Sequence, residues 1–540
     1  MEEILTLQKL WEGYDPEAEE LDVTVLNSVE KDGIVTKRVY FTGREIDGCK
    51  TRVFGVVCSK TTHSVRQAVL VIDDFNKEID EKVLVDFAER GFVAMAIDYV
   101  GARDMGLHTL YPDQLKYCNA SANQDVYNIV TSAKDIKLYE YALNSRRAVT
   151  YLLTCEKVNG VSILGVRKGV AVASMVLGTD ERAVNGTLAF GHIWQNYPEY
   201  AVKDGEDTTD KRMEYDFKSQ SWMMGLATQT YMLQIKVPLY IIISANSYYT
   251  NVRNANKSFS RVNCVSKLLI LPNSIDFIPA KYTNGVARWL KGNYDSELAE
   301  IDSCREGGVY RLRVTTQASL SKVSLWYTMN ADIRPKHWMK VKLKREEAGV
   351  YGADIDLYES NCHILAFALI DGELPTTTTL FEESNVAATN IKKANNIIFN
   401  PSAGQELPSA SLTGEWWNIP LEPRLAAGPM NITGAYGNAF ASFAINDVGL
   451  RFTRSFTLGF DVFSEVKQTV TVTAICKFGE TNECYQLSAS VFGGRWERLT
   501  FNKDSFRRVS DGKLLSDKDR VDAFIISADQ DFILNNMLLV

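Results

Sequence analysis

The chain has 540 residues, of which 46% are hydrophobic and 23% charged, with a formal net charge of −8. That length exceeds one hydrophobic core and implies three or four units of about 100–200 residues each. The composition excludes a disordered chain, and the dispersed acidic balance offers no basic surface for nucleic acid or an anionic membrane.

The opening stretch MEEILTLQKL carries glutamates where a secretion signal needs a basic region. No run approaches the roughly 18 apolar residues of a membrane span. The nine cysteines fall singly, without the spacing of a metal site or a disulfide framework. Cys476 and Cys484 flank a turn and are expected to face one another as reduced thiols. A soluble, cytoplasmic protein is the expectation.

Three early segments, 21–29, 36–43 and 51–58, are short, rich in β-branched and aromatic residues, and bounded by Gly, Asp or Lys, as strands are. The pattern then changes. Residues 67–72 (QAVLVI) form a continuous apolar run, expected of a strand buried on both faces of a parallel sheet. Residues 78–90 place Ile79, Val83, Leu84, Phe87 and Ala88 at helical spacing and stop at Gly91. The run 92–100 (FVAMAIDYV) is a second buried strand, and a long helix is expected over 126–153.

The stretch 161–176, VSILGVRKGVAVASMV, is the most informative. A buried strand passes through the Gly-bracketed turn Gly165-Val166-Arg167-Lys168-Gly169 into an apolar helix. That is the layout of the hydrolase nucleophile elbow, G-x-S-x-G, in which a strained strand-to-helix turn presents a serine. Here Arg167 stands at the serine position, and a guanidinium cannot attack a carbonyl.

Further strands are expected at 185–190, 238–244 and 267–271, with a helix near 280–291. Strands alternating with helices imply right-handed crossovers and a doubly wound, mostly parallel sheet. After about residue 296 the segments 309–315, 322–329, 338–343, 351–357 and 363–370 alternate like a small Ig-like β-sandwich. A Thr/Pro stretch at 375–379 reads as a connector. The rest is again β-rich, with strands expected at 440–445, 451–462, 468–478, 484–490, 522–528 and 532–540, suggesting a jelly roll. The expected organisation is N-terminal strands in 1–65, a hydrolase-like α/β domain in 66–295, an Ig-like sandwich in 296–380 and a jelly roll in 381–540.

On the pieces AVLVIDDF, VLVDFAERGFVAMAIDYVG, TLYPD and SRRAVTYLLT…VSILGVRKG, the segment 66–292 resembles the α/β-hydrolase superfamily, especially its dienelactone hydrolase and acetyl xylan esterase branch. The resemblance implies four catalytic stations, and each departs from the pattern. Arg167 holds the nucleophile station. The acid should follow strand 238–244, where the sequence is Ala245-Asn246-Ser247-Tyr248-Tyr249-Thr250. The base should be a histidine after strand 267–271, but Pro272-Asn273-Ser274-Ile275-Asp276-Phe277 stands there. Strand 67–72 should end in a His-Gly pair shaping the oxyanion hole, and it ends in Asp73-Asp74. Loss of a serine-hydrolase triad costs on the order of a million-fold in turnover, roughly 8 kcal/mol of barrier. A carboxylate near the oxyanion would add about 4 kcal/mol of repulsion at about 4 Å if the effective dielectric is near 20.

Arg167 and Lys168 begin a helix, where the macrodipole disfavours cations. Asp73 and Asp74, ending a neighbouring strand, are the expected neutralising partners. The alternatives are an anion site at the helix N-terminus and plain solvent exposure. Asp73, Asp74, Asp98 and Asp104 lack cation-ligand spacing, so no metal is expected. Nearby aspartates argue against Lys168 as a catalytic amine.

In the last segment, FGGRWERLTF…FIISADQDFILNNMLLV resembles the ending of carbohydrate-binding jelly rolls appended to glycan-active enzymes. That resemblance implies stacking on sugars by Trp416, Trp417 and Trp496, whereas burial of large rings in a β-sandwich core is the plainer reading. The sequence as a whole reads as a pseudo-hydrolase without cofactor or metal. Its role would be structural or self-assembling, as a homo-oligomer or ordered array. A glycan-binding protein and a cryptic carboxylic-ester hydrolase are the alternatives.

Overall fold

The protein is described by a computed structural model covering residues 3–61, 67–75, 77–101, 106–120, 129–194, 217–247, 250–275, 280–330, 335–388, 390–401, 411–413, 418–419, 424–451, 455–478 and 482–540. Nine strands, β1 (Thr24–Lys31), β2 (Ile34–Ile46), β3 (Cys49–Lys60), β4 (Ala68–Ile72), β5 (Val93–Ile97), β6 (Val161–Val166), β7 (Ala183–Ala189), β8 (Leu239–Ser244) and β9 (Ser266–Leu271), form one sheet in the order β1-β2-β3-β5-β4-β6-β7-β8-β9. From β5 to β9 every neighbour is parallel, and β1 to β3 join antiparallel through β3–β5. The N-terminal strands are therefore part of this sheet.

The apolar runs are explained by burial on both faces. Leu70 and Ile72 enter the core beneath α3 (Lys137–Thr154) and α4 (Gly169–Thr179), while Val69 and Val71 enter the opposite core with α2 (Glu81–Glu89) and α8 (Ala280–Leu290). The described residues of the unit also include α1 (Leu7–Trp11), α5 (Phe217–Gly225), α6 (Thr228–Met232) and α7 (Val252–Phe259). Helix α3 starts at Lys137, not near 126. Just before it, Ser132 Oγ accepts from Lys134 N and Thr131 Oγ1 bonds Asp135, side-chain bonds that favour turns over helix.

A two-residue strand β10 (Ser274–Ile275) follows β9. The next unit packs two sheets face to face. One is β11 (Ala299–Glu306), β12 (Val309–Thr316), β15 (Lys344–Glu347) and β16 (Val350–Ile355). The other is β13 (Val323–Thr328), β14 (Met339–Val341), β17 (Asn361–Ile370), β18 (Thr376–Thr377) and β19 (Phe381–Ala387). The stretch expected to be a connector is thus partly a strand: Thr376 and Thr377 pair with Ile370 and Leu369, and β19 adds to β17 beyond residue 380.

The last unit contains β20 (Ile397–Phe399), β21 (Ser411–Thr413), β22 (Asn418–Ile419), β23 (Arg424–Ala427), β24 (Thr433–Ser442), β25 (Thr457–Ser464), β26 (Gln468–Cys476), β27 (Glu483–Val491), β28 (Arg495–Asn502), β29 (Arg507–Arg508) and β30 (Val521–Leu539). The two expected C-terminal strands are one. The first half of β30 pairs with β26 and its second half with β25, while β24 runs beside both halves. The expected pairing of Cys476 with Cys484 does not occur, because Cys484 lies opposite Ile475 and Cys476 opposite Glu483. A one-residue offset puts the two sulfurs on opposite faces, and all nine cysteines are free.

Candidate functional site

The sheet order reverses around β4: the chain runs from β4 to β5 on one side, then returns to place β6 on the other. In open α/β sheets the crevice beyond the carboxyl ends of the strands at such a reversal is the usual ligand site. Asp73 and Asp74 follow β4 there, and Arg167 follows β6.

The turn from β6 into α4 is tight. Arg167 sits in the left-handed region at φ +50°, a conformation costing a non-glycine residue roughly 1–2 kcal/mol. Its N–H donates to Ala189 O (2.9 Å), and its own carbonyl accepts from Val170 N (3.1 Å). Two glycines make room. A Cβ on Gly169 would lie 2.0 Å from Ile72 O, and one on Gly191 would lie 2.2 Å from Arg167 O. The backbone of an elbow is therefore present, with an arginine at its tip.

That arginine is engaged. Arg167 Nη2 donates to both carboxylate oxygens of Asp73 (2.8 and 2.7 Å), and its Nε donates to Asp74 Oδ2 (3.0 Å). Asp74 Oδ1 accepts from Lys168 N (3.1 Å), and Lys77 Nζ lies 3.5 Å from Asp74 Oδ2. In hydrolases built on this turn, the N–H of the residue after the nucleophile is an oxyanion-hole donor. Here that N–H belongs to Lys168 and is taken by the chain's own carboxylate, which also answers the partial positive charge of the α4 N-terminus. Burial raises the Asp73 carboxyl above its ordinary range, opposed by Arg167 and by the Asp74 N–H.

Of the other expected stations, Tyr248 and Asp276 lie outside the described residues. Their loop neighbours carry the finding the sequence did not disclose. Asn246 Nδ2 donates to Lys336 O (2.8 Å), and Asn246 Oδ1 accepts from Lys336 N (2.8 Å). Asn273 repeats this arrangement two residues along: its Nδ2 donates to Trp338 O and its Oδ1 accepts from Trp338 N, both at 2.9 Å. Both asparagines are more than nine-tenths buried. Immediately after Asn273, Ser274 and Ile275 pair in parallel with Ser411 and Leu412 of the last unit. The loops at the acid and base stations are thus joints to the two β-rich units. Asparagine suits the task because its amide presents one donor and one acceptor, as a peptide group does.

A hydroxyl does lie beside a histidine elsewhere. Ser384 Oγ is 3.1 Å from His363 Nδ1, and His363 Nε2 is 2.8 Å from Glu382 Oε1. The position of the ring proton decides whether this is a nucleophile–base pair. Arg253 Nη2 lies 2.6 Å from the same Nε2 and 3.0 Å from Glu382 Oε1, and arginine only donates. If Nε2 accepts from Arg253, the single ring proton is on Nδ1 and is donated to Ser384. If the ring is doubly protonated, Nδ1 again donates. Only with the single ring proton on Nε2 and donated to Glu382 can Nδ1 accept from Ser384, and Arg253 Nη2, 2.6 Å from that nitrogen, opposes this tautomer because two donors would face each other. The arrangement ties α7 to β17 and β19.

Trp416 and Trp417 lie outside the described residues. Trp496 is half-buried, packs against Phe463 with ring centroids 5.7 Å apart, and donates its indole N–H to Pro429 O (3.1 Å). Its polar edge is therefore spent within the chain. Asp104 also lies outside the described residues; among those described, no group of His, Cys, Asp and Glu has the makings of a metal site, and no helix is long and apolar enough to cross a membrane.

No family model and no curated protein matches this chain. Among solved structures, it is similar to the acetyl xylan esterase from Paenibacillus sp. R4, at 15% identity and a TM-score of 0.41, over 51% of this chain and 90% of that one. A likeness of the same kind exists to acetyl xylan esterase 1 from Thermoanaerobacterium sp. JW/SL YS485, at 10% identity and a TM-score of 0.39, over 52% and 90% of the two chains. The Pyrococcus furiosus esterase Pf2001 is similar at 16% identity and a TM-score of 0.33, over 48% of this chain and 91% of its own.

Proposed function

We propose that this chain is a non-catalytic protein on an α/β-hydrolase-like scaffold, with a structural role exercised through self-assembly. The observation that carries the reading is the filling of the elbow by the chain's own groups: Arg167 bound by Asp73 and Asp74, and the Lys168 N–H capped by Asp74. An ester carbonyl would meet a cation in place of a nucleophile and a carboxylate in place of an anion hole. Removing a single oxyanion donor costs about 10²–10³ in turnover, before the missing serine is counted.

Conversion of the acid and base loops into joints through Asn246 and Asn273 supports the same reading. We assign the two β-rich units as an Ig-like sandwich and a jelly roll. The nine unpaired cysteines favour a reducing, cytoplasmic setting. The test has two arms. Purified protein given short-chain acyl esters should show no turnover above buffer. Light scattering and electron microscopy should show an oligomer or ordered array, and a concentration-independent monomer would overturn the self-assembly half.

A further inference from the structure

The segment Lys336-His337-Trp338 lies where three units meet. Lys336 and Trp338 are clasped by Asn246 and Asn273 of the α/β unit, and Trp338 packs on Phe367 with centroids 4.9 Å apart. His337 stands between the clasped residues and is only 9% exposed. Its Nε2 lies 4.0 Å from Asp447 Oδ2, on the turn at 444–447 that belongs to the last unit. That separation is too long for a hydrogen bond. The turn is held to the Ig-like unit by Asn330 Nδ2, which donates to Asn446 O at 3.4 Å, and Asp447 Oδ1 accepts from Gly449 N at 2.7 Å.

Asp447 is the charged group acting on the ring. Asp447 also acts on Tyr327 of β13 and on Tyr358 beyond β16; Asp356, which acts on the same two tyrosines, has Lys392 3.7 Å away. Lys336, beside the ring in sequence, is itself buried. The one carboxylate acting on the ring is thus shared with the Gly449 N–H, and the ring itself is buried.

We propose that His337 is an acid-sensitive latch: proton uptake by its ring loosens the 444–449 turn from the clasped segment. Two responses compete when the ring gains a proton. Asp447 can move in to pair with it, or the turn can open and let water reach the charge. Asp447 is held by the Gly449 N–H and the ring is buried, which favours opening over pairing, in line with burial lowering the proton affinity of His337 more than Asp447 raises it. The sign follows. A base whose folded-state pKa lies below its ordinary 6.5 stabilises the closed joint fully above that value, and the stabilisation is lost as pH falls through the lower folded one. The inference does not depend on whether the elbow is inert.

Hydrogen exchange read by mass spectrometry on the full chain tests it, with peptides covering 336–338 and 444–450, between pH 7.5 and 5.5, corrected for intrinsic rates. Protection of the 444–450 peptide should fall in the wild type by up to about tenfold for each unit by which the pKa is lowered, while peptides from α4 keep theirs. His337→Gln should remove the pH dependence. Asp447→Asn, which takes away the charge favouring protonation, should move the loss to lower pH. Constant protection in the wild type, or an equal loss in His337→Gln, overturns the proposal. Should His337→Gln fail to fold, a transition that does not move in Asp447→Asn overturns it equally.

Discussion

Replacing Arg167 by serine restores the residue type of an elbow nucleophile while stranding two carboxylates. In the native chain the guanidinium makes three charge-assisted hydrogen bonds, two to Asp73 and one to Asp74. Fully exposed pairs contribute about 0–1 kcal/mol, and breaking fully buried ones costs about 3–5 kcal/mol. The Arg167 and Asp74 side chains are 28% and 14% exposed, so an intermediate loss of about 2 kcal/mol is expected. Backbone strain changes little, because serine at φ +50° is as disfavoured as arginine. Thermal unfolding of the α/β unit reports the loss, since about 1 kcal/mol moves the midpoint by roughly 2–4 °C in a unit of about 150–250 residues. A cycle with Asp74→Ala isolates the pair: Asp74→Ala in the Arg167→Ser background should cost at least about 1 kcal/mol less than in wild type. Additivity within about 0.3–0.5 kcal/mol would refute the claim that the site is neutralised from within. So would ester turnover in Arg167→Ser, because a serine there still lacks a base and faces Asp74 at the Lys168 N–H.

Glu140, buried in α3, has Arg44 Nη2 3.1 Å away, yet neither carboxylate oxygen accepts a hydrogen bond among the described residues. Burial lifts its pKa from 4.5 to about 7 against the pull of Arg44. Stability from this group is complete below its ordinary value and lost as pH rises through about 7, a change of about 3 kcal/mol. Urea midpoints for Glu140→Gln should therefore gain on wild type between pH 5 and 8, and a constant difference would contradict the assignment. Asn273→Ala removes both bonds to Trp338 and leaves buried peptide groups unpaired, which should cost about 2–4 kcal/mol and raise proteolytic nicking of the segment at Trp338. Unchanged nicking would show that the clasp is not the joint. Gly169→Ala should lower the midpoint of the α/β unit by several degrees or prevent folding, since its Cβ meets Ile72 O at 2.0 Å; wild-type stability would mean the turn is looser than described.

What was legible in the sequence was local. The continuous runs at 67–72 and 161–166 had to be strands buried on both faces, and they divide residue by residue between two cores. The meeting of Arg167 with Asp73 and Asp74 was also legible, because β4 and β6 are parallel neighbours whose ends lie at one edge. The asparagine clasps were not, because their partners lie 90 and 65 residues away and an asparagine in a loop looks like any turn residue. Strand β28 escaped because its charged positions mask a weak alternation on a partly exposed strand. The break at Asp529-Gln530-Asp531 read as a loop between two strands, although the chain there stays in one strand and only exchanges β26 for β25 as a partner. Long-range amide pairing and a strand that changes partners midway leave no periodic trace.

The most direct test of an inert, self-filled elbow is the intact mass of the wild-type chain after prolonged exposure to a fluorophosphonate, which phosphonylates base-activated serines with loss of fluoride. No mass increase is expected, since Arg167 occupies the nucleophile position and the Arg253 donor at His363 Nε2 opposes the tautomer in which Nδ1 would take a proton from Ser384. A stoichiometric adduct on any serine, in the elbow loops or at Ser384, would contradict the account.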